Sequence, residues 1–335
     1  MSSDLEATAS TPASRASRAF GGGSRLGFGA APIGNLYRAI TDEQARAALD
    51  AAWEGGIRYF DTAPHYGLGL SERRLGEFLR AKPRADYVVS TKVGRLLEAN
   101  PAFAGGRDLE HGFDVPDDLV RRFDPSADGI RRSLEESLER MGLDRVDILY
   151  LHDPDVYDLD RGLGEGLPAL RALRDEGLVD RIGIGVNDAA VAARAVREGD
   201  LDVVMIAGRY TLLEQPALDE LVPACRERGV QIVAAALYNS GLLARPEPAP
   251  DATYNYSAAP PALVERARDL ARVCAEHGVE LPAAALQYPL RDPIVAAALV
   301  GAADPDAVRQ NLARLTAPIP DELWQALAAV GHIPG

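Results

Sequence analysis

The stretch DGIRRSLEESLERMGLDRVDILYLH, residues 128–152, holds one helix-to-strand unit in full. Ile130, Leu134 and Leu138 recur at helical spacing between Asp128 and Met141, and Gly142 supplies the stop. DILYL from Asp147 then reads as a strand that is apolar on both faces, the pattern of a parallel sheet covered on both sides. A polar residue, His152, stands at its end.

Working outward, the unit repeats. LGFGAA from Leu26, IRYF from Ile57, YVVST from Tyr87, RIGIGV from Arg181, VVMIA from Val203, QIVAAAL from Gln231 and the apolar run at Ala297 bring the strands to eight, each after the first preceded by a helical stretch. Eight such units without a linker or a break in composition predict an α/β fold closed as a (β/α)8 TIM barrel rather than a doubly wound sheet. The expected organisation is a disordered tail over residues 1–20 and a single barrel catalytic domain over 21–335. Two segments exceed a minimal barrel: Val93 to Pro125, and Ser240 to Pro261 with its LLARPEPAPDATYNYSAAPP. Both follow strands directly, so both are expected on the active-site rim as lids or pocket walls.

Composition limits the function. The 335 residues are 47% hydrophobic and 26% charged, as in a globular protein, and the formal charge of −14 argues against nucleic acid or an anionic membrane as partner. No apolar run reaches the roughly 20 residues of a membrane helix, and the first 20 residues lack the apolar centre of a secretory signal, so a cytoplasmic location is expected. Cys225 and Cys274 lie in helical segments and read as ordinary thiols, neither disulfide nor metal ligands. The partner expected is a small molecule.

The strands end in chemistry. Asp61 follows IRYF, Lys92 follows YVVST, His152 follows DILYL, Asn187 follows RIGIGV, Arg209 and Tyr210 follow VVMIAG, and Asn239 follows QIVAAALY. Singly, Asp61 also suits a turn, Asn187 a helix cap and His152 a satisfied buried histidine. Together they converge on one mouth of a barrel. Lys92 stands out because only two of the 36 basic residues, Lys82 and Lys92, are lysine. A compact ammonium at a strand end can stabilise the phenolate of Tyr66 and lower its pKa from about 10, as proton exchange near neutrality requires. Asp61 would hold Lys92 charged, and a neutral His152 would donate to the reacting oxygen. His65, beside Tyr66 but off a strand end, ranks lower as an acid–base group.

These residues, in FDTAPHYG with Asp61 and Tyr66, STKVG with Lys92 and DILYLHDPD with His152, resemble the aldo-keto reductase superfamily over about Arg25 to Ala329. The resemblance implies an Asp–Tyr–Lys–His tetrad in which Tyr66 exchanges the proton, Lys92 and Asp61 tune it and His152 orients the substrate. It also implies a nicotinamide cofactor extended across the barrel mouth, Asn187 near its carboxamide, Tyr210 stacked on its ring, and Asn239, Ser240, Gly241 and Leu242 along its pyrophosphate. GRYTLLEQ, NSGLLA and NYSAAP are most similar to the branch with L-fucose, D-threo-aldose and pyridoxal dehydrogenases. One departure from the pattern is Asp188 after Asn187, where many members carry Ser-Asn.

In the segment VGAADPDAVRQN, Gly301, Ala302 and Ala303 offer no side-chain donors, and Ala307 stands where an arginine for a 2′-phosphate is expected, with Arg309 nearby. NAD is therefore expected to serve at least as well as NADP, with Gln310 and Asn311 facing the adenine. Asp153, Asp155 and Tyr157 after His152 suit the hydroxyls of a polyol, while Asp158 reads as a loop cap. The expected reaction is oxidation of an aldose such as L-fucose, or a related hemiacetal, at C1 to a lactone. Three alternatives stand beside it: an NADPH-dependent aldehyde or ketone reductase, a pyridoxal 4-dehydrogenase, and a non-catalytic barrel resembling potassium-channel β-subunits.

Overall fold

The computed structural model describes residue 20 and residues 24–249, 251–255 and 257–334. Except for Phe20, the tail expected to be disordered lies outside the described residues.

Eight parallel strands close a barrel in the order β1 (Leu26–Gly29), β12 (Val295–Gly301), β9 (Gln231–Ala235), β8 (Val203–Ala207), β7 (Arg181–Val186), β6 (Ile148–His152), β3 (Val88–Val93) and β2 (Tyr59–Asp61). Between β2 and β3 the register runs Tyr59 to Val88 and Asp61 to Ser90; between β3 and β6, Lys92 stands beside Tyr150. Two layers of core result. Outward-facing residues such as Val89, Leu149 and Ile184 pack under the helices, while Tyr59, Tyr150, Val203, Met205 and Leu299 fill the barrel, with Phe20 edge-on to Tyr59 at 5.3 Å. Cys225 and Cys274 are buried, unpaired core residues.

The helices follow local signals. Residues Ala127–Met141 begin at Ser126, whose Oγ accepts from Gly129 N at 3.1 Å, and end at Gly142 in the left-handed conformation. Thr41 and Gln44 form a reciprocal cap on the helix Asp42–Glu54.

The strands run further into the polar residues than apolar pattern alone suggests. Asp61 is the last residue of β2, Lys92 lies within β3 and His152 ends β6. Asp61 and Lys92 bond each other across the sheet, so their polarity does not terminate pairing there. The 93–125 excursion forms an antiparallel hairpin, β4 (Arg95–Ala99) with β5 (Leu119–Phe123), and a bridge from Leu36 to Phe113 ties it to the loop after β1. The second excursion makes a tight turn at 239–241 and a short hairpin, β10 (Thr253–Tyr254) with β11 (Ser257–Ala258). Thr253 Oγ1 donates to Ser240 O at 2.8 Å and fastens that hairpin to the turn. No helix among the described residues is long and apolar enough to cross a membrane.

Candidate active site

At the C-terminal ends of the strands lies a cavity of about 590 Å³, within the range of ligand pockets. Lys92 lies on its wall. The amine is 2% exposed and donates to Asp61 Oδ2 at 2.7 Å, Thr62 O at 3.0 Å and Tyr66 Oη at 3.0 Å, three acceptors for three protons. Burial disfavours the ammonium, but Asp61 and the Tyr66 oxygen outweigh it, so the Lys92 pKa rises. Burial pushes the Asp61 carboxyl up against the pull of Lys92. The ordinary values of the two groups lie about six pH units apart, so the pair is ionised near neutrality. Asp61 has a second donor, Ser90 Oγ at 2.6 Å, itself 3.0 Å from the Tyr59 hydroxyl, which lies 3.2 Å from that of Tyr150. A buried carboxylate with both oxygens bonded holds its charge where an unpaired one would not.

Tyr66 reaches this amine because its loop is pressed against the one after β1. A Cβ on Gly67 would sit 2.1 Å from Gly34 O, and one on Gly34 would sit 2.8 Å from Tyr66 O, while Gly67 has φ +61°. Both positions therefore require glycine. His152 stands edge-on to the Tyr66 ring, centroids 6.0 Å apart at 89°. Burial first, then Arg95 and Lys92, push its pKa well below the ordinary value, leaving a neutral imidazole. Its Nδ1 is buried without a hydrogen-bond partner, and Nε2 lies 3.4 Å from Asp153 Oδ2. The structure thus gathers Asp61, Tyr66, Lys92 and His152 at one point.

Of the groups expected to hold a cofactor, Asn187, Ser240, Gly241 and Gly301 line the cavity. Helix capping falls to Asp188, whose Oδ1 accepts from Ala190 N at 2.8 Å and Val191 N at 3.0 Å, which leaves Asn187 exposed to the cavity. The other residues expected to hold the cofactor lie off the cavity wall. Tyr210 is turned into the core, donating to Asp292 Oδ2 at 3.1 Å with its ring edge-on to Tyr288, and is absent from the cavity wall. Leu242 and Ala302 are buried, Asn239 donates to Gly208 O, and Gln310 is exposed away from the lining. Asn311 is buried and accepts from the Tyr238 hydroxyl at 2.9 Å, so it braces Tyr238, which does line the cavity.

The expected substrate contacts divide in the same way. Asp153 lines the cavity but is paired with buried Arg95 at 2.6 Å, in a left-handed backbone with φ +38°. Asp155 lies off the wall. Tyr157 lies outside too, stacked on Phe123 at 4.9 Å, because that ring and the Arg95 guanidinium offer it a better face than solvent. Asp158 caps Arg161 N, as a loop acid would. Among the wall residues that the sequence did not place there are His65, His111, Phe113 and Tyr238. His65, ranked low for lying off a strand end, sits 5.5 Å from His152 by ring centroid; His111 and Phe113 come from the first excursion and Tyr238 from the loop after β9. The one signal for them was the placement of three of the five histidines near the predicted rim.

A dinucleotide fits what is present. Part of the wall carries little or no side chain, at Gly29, Ala31, Ala235, Ala236, Gly241 and Gly301, so a ligand can lie close to the backbone there. Ala236, Asn239 and Ser240 all have positive φ, and the turn they make is closed on itself, the amides of Asn239, Gly241 and Leu242 donating to Ala236 O, Tyr238 O and Asn239 O. With the Asn187 side chain on the same wall, the cavity leaves room for an extended dinucleotide to lie along it.

The sequence pattern of the aldo/keto reductase family matches residues 25–332. The chain is 53% identical over 310 residues to a D-threo-aldose 1-dehydrogenase of Pseudomonas sp, covering 92% of this chain and 94% of the relative. It is 39% identical to a pyridoxal 4-dehydrogenase of Microbacterium luteolum, with the same 92% and 94% coverage. Among solved structures, an aldo-keto reductase from Bacillus halodurans in its holo form superposes with a TM-score of 0.70 at 26% identity, covering 92% of each chain.

Proposed function

Within the aldo/keto reductase family, to which this chain belongs as an oxidoreductase, we propose that it oxidises an aldose such as L-fucose, or a related hemiacetal, at C1 to a lactone. The observation that carries this reading is the Lys92 amine shared between Asp61 and Tyr66 on the cavity wall. Its sugar component rests on the 53% identity to a protein named for aldose C1 oxidation.

Asp61, Tyr66, Lys92 and His152 act as the catalytic tetrad. The Lys92 ammonium stabilises a phenolate on Tyr66, whose Oη takes the proton of the C1 hydroxyl as C1 gives up a hydride and becomes the carbonyl of the lactone. When bound, the nicotinamide cofactor supplies the two-electron hydride acceptor. Asp61, bonded by Lys92 and Ser90, keeps the ammonium charged and fixed. His152, neutral, holds the C1 oxygen by a hydrogen bond. In the opposite direction the same Tyr66 proton returns to a carbonyl oxygen. Asn187, Ser240, Gly241 and Gly301 would hold the cofactor through one amide side chain and the backbone.

NAD serves at least as well as NADP. In this segment Gly301 to Ala303 carry no donor side chain, Arg309 faces Asp306 at 2.8 Å and Arg314 bonds Asn311, which leaves a 2′-phosphate little selective attraction there. Catalytic efficiency measured with both cofactors should be equal or higher with NAD; a many-fold preference for NADP would contradict it. Pyridoxal, whose cyclic hemiacetal presents the same carbon, is the second reading, favoured by the 39% identical relative. A panel of aldoses, pyridoxal, alcohols and simple aldehydes, followed by nicotinamide absorbance, tests the assignment. Turnover of aldoses supports it, and activity confined to simple aldehydes overturns it.

A further inference from the structure

The mechanism leaves part of the cavity unused. Beside Tyr66 and His152, its wall is made by His65, His111, Phe113 and Leu36. Three of these belong to segments that lock together. Arg121, on β5, is buried and grips Asp108 with both terminal nitrogens, one at 2.8 Å, while its Nη2 also donates to His65 O at 3.0 Å. Asp108, 6% exposed, then binds His111 Nδ1 at 2.8 Å. Tyr37 N donates to Gly112 O at 2.7 Å and Asp114 N to Asn35 O at 2.9 Å, fixing the excursion to the loop after β1. The excursion is therefore a braced wall with one imidazole mounted on it.

The brace decides what that imidazole presents. A carboxylate on Nδ1 selects the tautomer that carries its proton there, so Nε2 is the atom left to face outward, as an acceptor. His65 packs edge-on to His111 at 5.9 Å and to Phe113 at 5.3 Å. Its Nδ1 is buried with no hydrogen-bond partner, and burial with Arg95 and Arg121 nearby keeps the ring neutral. Phe113 lies 6.1 Å from the Tyr66 ring, tilted by 33°, and adds an apolar face beside the reacting centre. A ligand matching this wall has an apolar face and hydroxyls at its edge.

We propose that His111, held by Asp108 and Arg121, is the group that recognises a ring hydroxyl of the sugar remote from C1, with Phe113 and His65 walling the same subsite. The inference rests on the aldose reading of the site and names where its specificity lies. His111 is a binding residue that accepts from the hydroxyl through Nε2, and Asp108 is a positioning residue that acts through His111. A site built to accept from a hydroxyl discriminates against the analogue that lacks it.

The test compares kcat/KM for L-fucose and its monodeoxy analogues in the wild type, His111→Phe, His111→Gln and Asp108→Asn, with cofactor affinity measured in each as a check on folding. For the wild type, removing one ring hydroxyl should cost about tenfold, the size of one neutral hydrogen bond. In His111→Phe that preference should collapse toward one, mostly through KM. His111→Gln, which keeps an acceptor, should restore part of it, and Asp108→Asn should lose part through KM with kcat nearly kept. A wild type that oxidises L-fucose while His111→Phe retains the full deoxy discrimination overturns this inference and leaves the proposed function standing. A wild type that turns over no aldose overturns both.

Discussion

Lys92 meets demands that an arginine could not. Its amine bonds three acceptors within a site where a Cβ on Gly185 would lie 3.6 Å from its own Cε, so the space is that of an ammonium and not of a planar fork. Lys92→Arg should therefore lower turnover by at least about 10²-fold despite the conserved charge, and Tyr66→Phe should do the same by removing the proton carrier, while cofactor affinity survives in both. Steady-state kinetics with a binding titration checks each; near-normal turnover of Tyr66→Phe would show that the proton goes elsewhere. At this scale the grouping of Asp61, Tyr66, Lys92 and His152 was legible because scarcity and strand-end placement mark chemistry: one of only two lysines among 36 basic residues, one aspartate closing an apolar strand. Tyr210 and Tyr157 were not. Whether a tyrosine faces a cavity or a neighbouring ring depends on what the fold brings beside it, here Asp292 and Tyr288 for one, Phe123 and Arg95 for the other.

Between elements, the site depends on close approach of loops. The turn carrying Tyr66 lies on Gly34, and Gly67 combines φ +61° with a backbone oxygen 2.1 Å from where a Cβ would be. Gly67→Ala must move that turn, and a displacement near 1 Å at a reacting group costs on the order of 10²-fold in rate. The expected result is a fall of that order in kcat with the barrel still folded by circular dichroism; unchanged kcat would mean that the turn does not set the Tyr66 position. The strands were readable from apolar runs, yet their ends were not, because the backbone pairing runs on through Asp61, Lys92 and His152, where Lys92 and Asp61 bond each other across the sheet and no local pattern announces it. The two long excursions were readable as rim elements. Their internal hairpins, and the delivery of His111 and Phe113 to the cavity, follow from contacts across about 75 residues of sequence with the loop after β1.

For the molecule as a whole, the barrel followed from the alternation of eight strands with helices, and the cavity sits where that topology puts loops. The same burial that shapes the site links it to stability. His65 and His152 are held neutral well below their ordinary value, first by burial and then by nearby cations. Below about pH 6.5 the unfolded chain binds protons that these two sites exclude, so their contribution is full above that pH and is lost progressively as pH falls from there toward the lowered folded values. Calorimetry should show His65→Phe flattening the acid side of the stability curve by up to about 1.4 kcal/mol per pH unit relative to the wild type; parallel curves would contradict a neutral His65. The central claim is that C1 of a cyclic aldose loses hydride while Tyr66 takes its hydroxyl proton. The most direct measurement is oxidation of L-fucose deuterated at C1 in the presence of NAD, with both products analysed by mass spectrometry. The account predicts one deuterium in the reduced cofactor for each lactone formed; lactone without deuterium transfer, or no oxidation of the sugar from neutral to alkaline pH, would contradict it.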